Sequence, residues 1–94
     1  YIKNAPTNSA VNPDAFSKLA PADVLIDVAS TDETNAVKNV LLDGVPVSGV
    51  YLTVDGVDVT IDQVYVATLD NGSYTVTIEF LKGNAVAVTL TVGA

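Results

Sequence analysis

Alternation of apolar and polar residues between positions 74 and 92 is the feature that most constrains this chain. Successive side chains of a strand point to opposite faces, so the pattern predicts two paired, half-buried strands, 74–80 and 86–92. Lys82-Gly83-Asn84 supplies the turn between them. The residues predicted to point inward are Tyr74, Val76, Ile78, Phe80, Val86, Val88, Leu90 and Val92.

The stretch ADVLIDV at 22–28 shows the same period of two. Its inward face would carry Ala22, Val24, Ile26 and Val28, while Leu25 would be exposed. Residues 1–20 contain prolines and no sustained period, so we expect a lead-in with one possible edge strand. Strand pairing is expected to begin after Pro21.

The stretch AVKNVLLDG at 36–44 can be interpreted as a strand or as a helix. Asp43-Gly44 is a hairpin signal, and the β-branched pattern resumes directly after it, which favours a strand with Val40 and Leu42 inward. Pro46 is then expected at a sheet edge or a bulge, because proline cannot donate to a ladder.

A second hairpin signal, Asp55-Gly56, precedes a strand with Val57, Val59 and Ile61 on one face. Both residues of the dipeptide are expected to adopt the positive φ of a primed turn.

The segment 62–69 differs, because Ile61, Val64, Tyr65 and Leu69 follow three-and-four spacing. It predicts one short helical turn capped by Asp62. Tyr65 would face the packing side of this turn.

These elements together predict an all-β fold, an immunoglobulin-like antiparallel β-sandwich of six or seven strands with one short helical turn near 62–69. Ninety-four residues suffice for one domain. We expect it to comprise the lead-in 1–20 and the sandwich 21–94. Because the sequence starts at Tyr1 without methionine, we also expect it to be a piece of a longer protein.

Composition narrows the possible partners. Eleven acidic residues against four lysines give a net charge of −7, which repels nucleic-acid phosphates and anionic membrane surfaces. No apolar run approaches the length of a membrane span. The absence of cysteine, together with abundant Thr, Val, Asn and Asp, is typical of modules displayed outside bacterial cells. We therefore expect an extracellular or cell-surface location, with a cytosolic domain as the alternative.

Few reactive groups are available for catalysis. The chain has no histidine or cysteine, the usual general base and thiol nucleophile, so we expect no enzymatic activity and no cofactor. Asp55, Asp58 and Asp62 are weak candidates for a calcium site, because calcium prefers oxygen ligands. Their spacing matches no EF-hand loop, and solvated turn and strand acids are the favoured interpretation.

Sugar binding is a second possibility, because pyranose faces stack on aromatic rings. The chain has no tryptophan, and Tyr65 and Tyr74 are expected to be packed in the core. Tyr51 is therefore the candidate carbohydrate-binding residue.

Several short segments resemble a known family. They are Phe16 and Lys18 before the DV-x-I strand at 23–26, the LDG turn at 42–44, YLTVDGVDVTI at 51–61, Tyr65, Val66 and Leu69 as a YL-x-x-L turn, and YTVTIEF and AVTLTV after Gly72. From about Asn12 to Val92 the chain resembles the X-two immunoglobulin-like module of cellulosomal scaffoldins and bacterial cellulases. It departs from that pattern at Tyr51 and Leu52, where the family shows Asp and Tyr.

The resemblance implies a non-catalytic spacer or accessory module of an extracellular polysaccharide-degrading or cell-surface protein, with neighbouring modules of the parent chain as partners. Weak attachment to cellulose or cell-wall polysaccharide is the first alternative. An adhesin or surface-layer domain that docks a partner through a strand edge or the Leu25 patch is the second.

Overall fold

The computed structural model describes residues 5–94, which form ten strands, one helical turn and one 3-10 turn at Gly49–Tyr51. The N-terminal expectations for residues 1–4 lie outside the described residues. The strands are β1 (Asn8–Ala10), β2 (Phe16–Ser17), β3 (Val24–Ile26), β4 (Val28–Ser30), β5 (Val37–Leu42), β6 (Val45–Pro46), β7 (Leu52–Asp55), β8 (Asp58–Ile61), β9 (Gly72–Phe80) and β10 (Val86–Gly93). The helical turn α1 spans Gln63–Val66, within the predicted 62–69. The chain is mostly β, as predicted.

The hairpin of β9 and β10 forms the centre of a five-stranded sheet with the order β2-β10-β9-β5-β6. Val76 pairs with Val88 and Ile78 with Val86, so the two apolar sets lie on one face. The predicted inward residues of both strands are buried, except Tyr74, which is half-buried. The alternation is therefore confirmed as the pattern of burial.

A three-stranded sheet with the order β3-β8-β7 carries the second apolar face. Val24 pairs with Ile61 and Ile26 with Val59, and all four side chains are buried. Leu25 is exposed, as predicted, but Ala22, which is predicted to face inward, is exposed as well because β3 begins only at Val24. The chain leaves this sheet at Asp27, because β4 pairs with β1 instead.

Both sheets contribute to one hydrophobic core. It also includes Val66 of α1. Burying each of these aliphatic side chains stabilises the fold by about 1.5–3 kcal/mol. The core residues are Phe16, Val24, Ile26, Val40, Leu42, Val47, Val59, Ile61, Val66, Val76, Ile78, Phe80, Val86, Val88, Leu90 and Val92.

The two predicted hairpin turns have different outcomes. Asp43 and Gly44 both have positive φ, 48° and 83°, as a primed turn requires, and Pro46 lies in the edge strand β6. The helical alternative for 36–44 is wrong, since β5 occupies this stretch.

The second turn is shifted by one residue. Asp55 pairs with Asp58, so the central residues are Gly56 and Val57, not Asp55 and Gly56. Only Gly56 has a positive φ, 64°. A glycine at the first central position suffices for the turn, and Asp55 remains in β7 as extended backbone.

Pairing begins at Asn8, so the expectation that it starts after Pro21 is wrong. β1 pairs with β4, β2 runs parallel to β10, and Phe16 is only 4% exposed. Strands of three and two residues, separated by Pro13, are too short to show a period in the sequence. The segment before Pro21 thus contributes to the same core as the strands that follow it.

We predict that Gly83→Ala destabilises the protein by more than about 2 kcal/mol in urea denaturation, because left-handed strain and a backbone clash add together. Gly83 has a φ of +82°, and a Cβ there would overlap the Pro6 carbonyl oxygen.

Gly44→Ala is the matched control, because Gly44 has a φ of +83° and a Cβ added to it would meet no atom within 4 Å. It should cost only the strain of about 1–2 kcal/mol. Equal losses in the two variants would show that the contact with Pro6 contributes nothing.

Candidate functional site

Tyr51 ends the 3-10 turn between β6 and β7. The side chain of Ser48 caps this turn, and the Tyr51 N–H donates to the Ser48 carbonyl oxygen at 3.0 Å. The N–H of Asp62 donates to the Tyr51 carbonyl oxygen at 2.8 Å, which fixes Tyr51 beside the start of α1. Backbone hydrogen bonds therefore set the position of the candidate sugar-binding residue.

The ring of Tyr51 stacks on that of Tyr65, with 5.0 Å between ring centroids and 29° between planes. Tyr51 is 36% exposed, and Tyr65 is half-buried against the core rather than fully enclosed. The preceding residues, Val50 and Val64, are both exposed. We call these four residues the tyrosine patch; it comprises a stacked aromatic pair and the two exposed aliphatic residues that precede the tyrosines in the sequence.

The three calcium candidates do not form one group. Asp55 and Asp58 are paired at the turn end of β8, whereas Asp62 follows the other end of this strand. Asp58 Oδ1 accepts from the Val28 N–H at 3.0 Å, and Asp62 Oδ1 accepts from the Val64 N–H at 2.8 Å as the cap of α1. Within residues 5–94, no three His, Cys, Asp or Glu side chains are placed to hold a metal ion together.

A polar cluster lies at the end of the molecule that carries the turn between β9 and β10. Asp32 Oδ1 accepts from the Thr34 hydroxyl at 2.6 Å and from the Thr34 N–H at 2.8 Å. Lys82 Nζ lies 3.2 Å from Asp32 Oδ2. These residues border an open groove of about 610 Å³.

The Thr34 hydroxyl, the Thr34 N–H and Lys82 lower the pKa of Asp32 from 3.8 to about 2. Each of these donors stabilises the charged carboxylate. The Asp32 carboxyl is therefore ionised at neutral pH.

Next to this cluster, two buried asparagines connect three segments that are distant in sequence. Asn8 and Asn35 are 4% and 3% exposed. The Asn35 amide donates to Asn8 Oδ1 at 3.1 Å and to the Lys82 carbonyl oxygen at 2.9 Å, while its own oxygen accepts from the Lys82 N–H. Asn84 completes the network through hydrogen bonds with Asn8.

The sequence does not predict this network of hydrogen-bonded asparagines, because no local pattern connects positions 8, 35 and 84. The Gly83-Asn84 pair is the one visible signal, and by itself it indicates only a turn. Among the described residues, every buried side-chain nitrogen and oxygen has a hydrogen-bond partner. The network is therefore a fully satisfied structural element.

The sequence matches no protein-family model and no curated protein at a significant level. Among residues 5–94, none of the helical segments has the length and apolar character required to cross a bilayer.

We predict that Thr34→Val raises the pKa of Asp32 from about 2 towards 3.8, measured from the carboxyl chemical shift in an NMR titration. A lowered folded-state pKa stabilises the protein above the unfolded-state value, and this contribution is lost as the pH falls from about 4 to about 2. The variant should therefore lose less stability than the parent protein in that window.

Thr68→Val is the control, since the Thr68 hydroxyl donates to the Tyr65 carbonyl oxygen and not to a carboxylate. An unchanged Asp32 pKa in Thr34→Val would contradict the assignment of the hydroxyl as the main cause.

Proposed function

We propose that the chain is an immunoglobulin-like β-sandwich that acts as a non-catalytic spacer or accessory module. Support for the fold comes from the three-stranded and five-stranded sheets, which share one core, and from the parallel pairing of the edge strand β2 with the last strand, β10. The Tyr74 hydroxyl also donates to the Asp70 carbonyl oxygen at 2.6 Å. A tyrosine bonded to the backbone a few residues upstream, near the start of the penultimate strand, is typical of immunoglobulin-like domains.

The observation that carries the spacer function is where the two ends of the described residues, 5–94, lie. Pro6 lies against Gly83 at the turn of the β9–β10 hairpin, whereas Gly93 lies at the opposite end of β10 beside Ser17. The eight residues of β10 alone span about 25 Å. A chain that follows this path separates whatever is attached to it along the direction of β10.

The dimensions and the surface support the same function. The molecule measures 53 × 21 × 20 Å. The face of β9 and β10 that points away from the core presents mainly small polar residues, among them Thr75 paired with Thr89 and Ser73 paired with Thr91. A net charge of −7 adds repulsion between copies and disfavours adhesion.

The segments that resemble the X-two module support placing this spacer in an extracellular, bacterial multi-module protein that degrades polysaccharide or covers a cell surface. The resemblance includes the strands and turns around the core, such as the stretch 72–80 and the turn at Asp43-Gly44. Its partners would be the neighbouring modules of the same parent chain.

Distance measurements test the spacer function. Ala5, Ala85 and Ala94 are exposed and the chain has no cysteine, so each can become a unique labelling site. We predict a long distance between dyes in Ala5→Cys/Ala94→Cys and a short one in Ala5→Cys/Ala85→Cys, measured by single-molecule energy transfer. The second variant is the matched control, because it keeps the first label and moves only the other. Equal transfer efficiencies would refute the in-line arrangement.

A second candidate function, weak binding of cellulose or cell-wall polysaccharide, is favoured by the stacked rings of the tyrosine patch. If it holds, Tyr51→Ala should abolish retention on insoluble cellulose or peptidoglycan in a pull-down, because the exposed ring supplies the stacking surface. Leu81→Ala is the control: it changes an exposed apolar residue directly after β9, outside the tyrosine patch, and should leave retention unchanged. If the parent protein shows no retention on either polysaccharide, this candidate is rejected and the spacer function is unaffected.

A further inference from the structure

The N-terminal segment, residues 6–18, runs parallel to β10 with a nearly constant register. Asn8 is hydrogen-bonded to Asn84, Asn12 to Thr89, and Phe16 is the ladder partner of Val92. The sequence separations of these three contacts are 76, 77 and 76 residues. The first and last parts of the described chain therefore lie side by side along one edge of the five-stranded sheet.

The first attachment lies at the turn end. The Asn8 N–H donates to Asn84 Oδ1 at 2.8 Å, and Asn84 Nδ2 donates to the Asn8 carbonyl oxygen at 2.8 Å. The side-chain amide thus binds both backbone groups of Asn8, as a neighbouring strand would. Asn8 Nδ2 adds hydrogen bonds to the carbonyl oxygens of Lys82 and Asn84.

The second attachment lies in the middle, where Asn12 Oδ1 accepts from the Thr89 N–H at 3.0 Å. Pro13 has no N–H and cannot join a ladder at this point. The Asn12 side chain therefore accepts the hydrogen bond that a neighbouring strand would otherwise accept from the Thr89 N–H.

The third attachment lies at the far end. Here β2 pairs in parallel with β10, and the Lys18 N–H donates to the Gly93 carbonyl oxygen at 2.8 Å. Phe16 inserts into the core and anchors this end by apolar burial. On its other side the segment is paired through β1 with β4, antiparallel, so it is held along both edges near its start.

We propose that the N-terminal segment and β10 form a mechanical clamp that resists tension applied along the module. The proposal rests on the in-line spacer function, because only then is tension transmitted between Pro6 and Gly93. Such tension pulls the segment and β10 in opposite directions along their own axes. All three attachments are then strained together, and the barrier to forced unfolding is high.

The same contacts would separate in turn if tension were applied to both strands at one end. The hydrogen bonds of Asn8 would break first, then that of Asn12, then those of β2. If the clamp exists, the force needed to unfold the protein depends on the direction of pulling. Thermodynamic stability alone does not require this dependence.

The two cysteine variants used for the distance measurement also test this directly when they are held by DNA handles in optical tweezers. Ala5→Cys/Ala94→Cys loads the attachments together, and Ala5→Cys/Ala85→Cys loads them in turn. We expect the first rupture force to be about two- to threefold higher in the first variant, because three attachments share the load. Equal rupture forces would overturn the clamp, and if the dye distances hold in that case, the spacer function survives.

A point substitution separates the clamp from general stability. Asn12→Ala removes the middle attachment and should lower the rupture force measured between positions 5 and 94. Asn39→Ala is the matched control. Asn39 is also exposed, and it donates to Glu79 Oε1 at 3.0 Å between β5 and β9, so it makes no contact between the N-terminal segment and β10. The urea midpoints of the two variants are also measured, so that their loss of thermodynamic stability can be compared separately from the rupture force. Equal effects of both on the rupture force would overturn the clamp.

Discussion

Burial of every second side chain of β9 and β10 is the interaction on which the rest of the structure depends. The chain has no cysteine, so no disulfide can replace apolar packing. The hairpin contributes seven of the sixteen core side chains, and buried residues of the three-stranded sheet belong to the same core. A slip of one residue in the pairing would move the apolar side chains of the slipped strand to the solvent side, so the turn at Gly83 fixes the register and with it the core.

The buried asparagines perform a different task from the core. An amide left without a partner in the interior costs about 1–3 kcal/mol, so Asn8 and Asn35 are tolerated only in one arrangement of the segments around them. That arrangement holds the N-terminal segment against the turn of the hairpin. The path of the described N-terminal residues is thereby fixed, and the proposed spacer function requires such a fixed path.

The candidate site can be predicted from the sequence only in part. Tyr51 is a candidate because the chain has no tryptophan, and the residue is 36% exposed. Its stacking on Tyr65 has no sequence signal, because the partners come from a 3-10 turn and a helical turn fourteen residues apart in sequence. The prediction of Asp62 as a cap is confirmed, since a cap depends on residues two positions away. Local hydrogen bonding is thus visible in the sequence, whereas contacts between loops are not.

The sequence by itself determined the strands with a clear period, the side on which each is buried, and the turn at Asp43-Gly44. These follow from the alternation of the backbone and from the φ angles that particular residues adopt. Only the tertiary structure decided the place of β1 and β2, the asparagine network and the parallel path beside β10. These depend on groups about 76 residues apart that meet only when the core has formed, and no local pattern of residues encodes such a meeting.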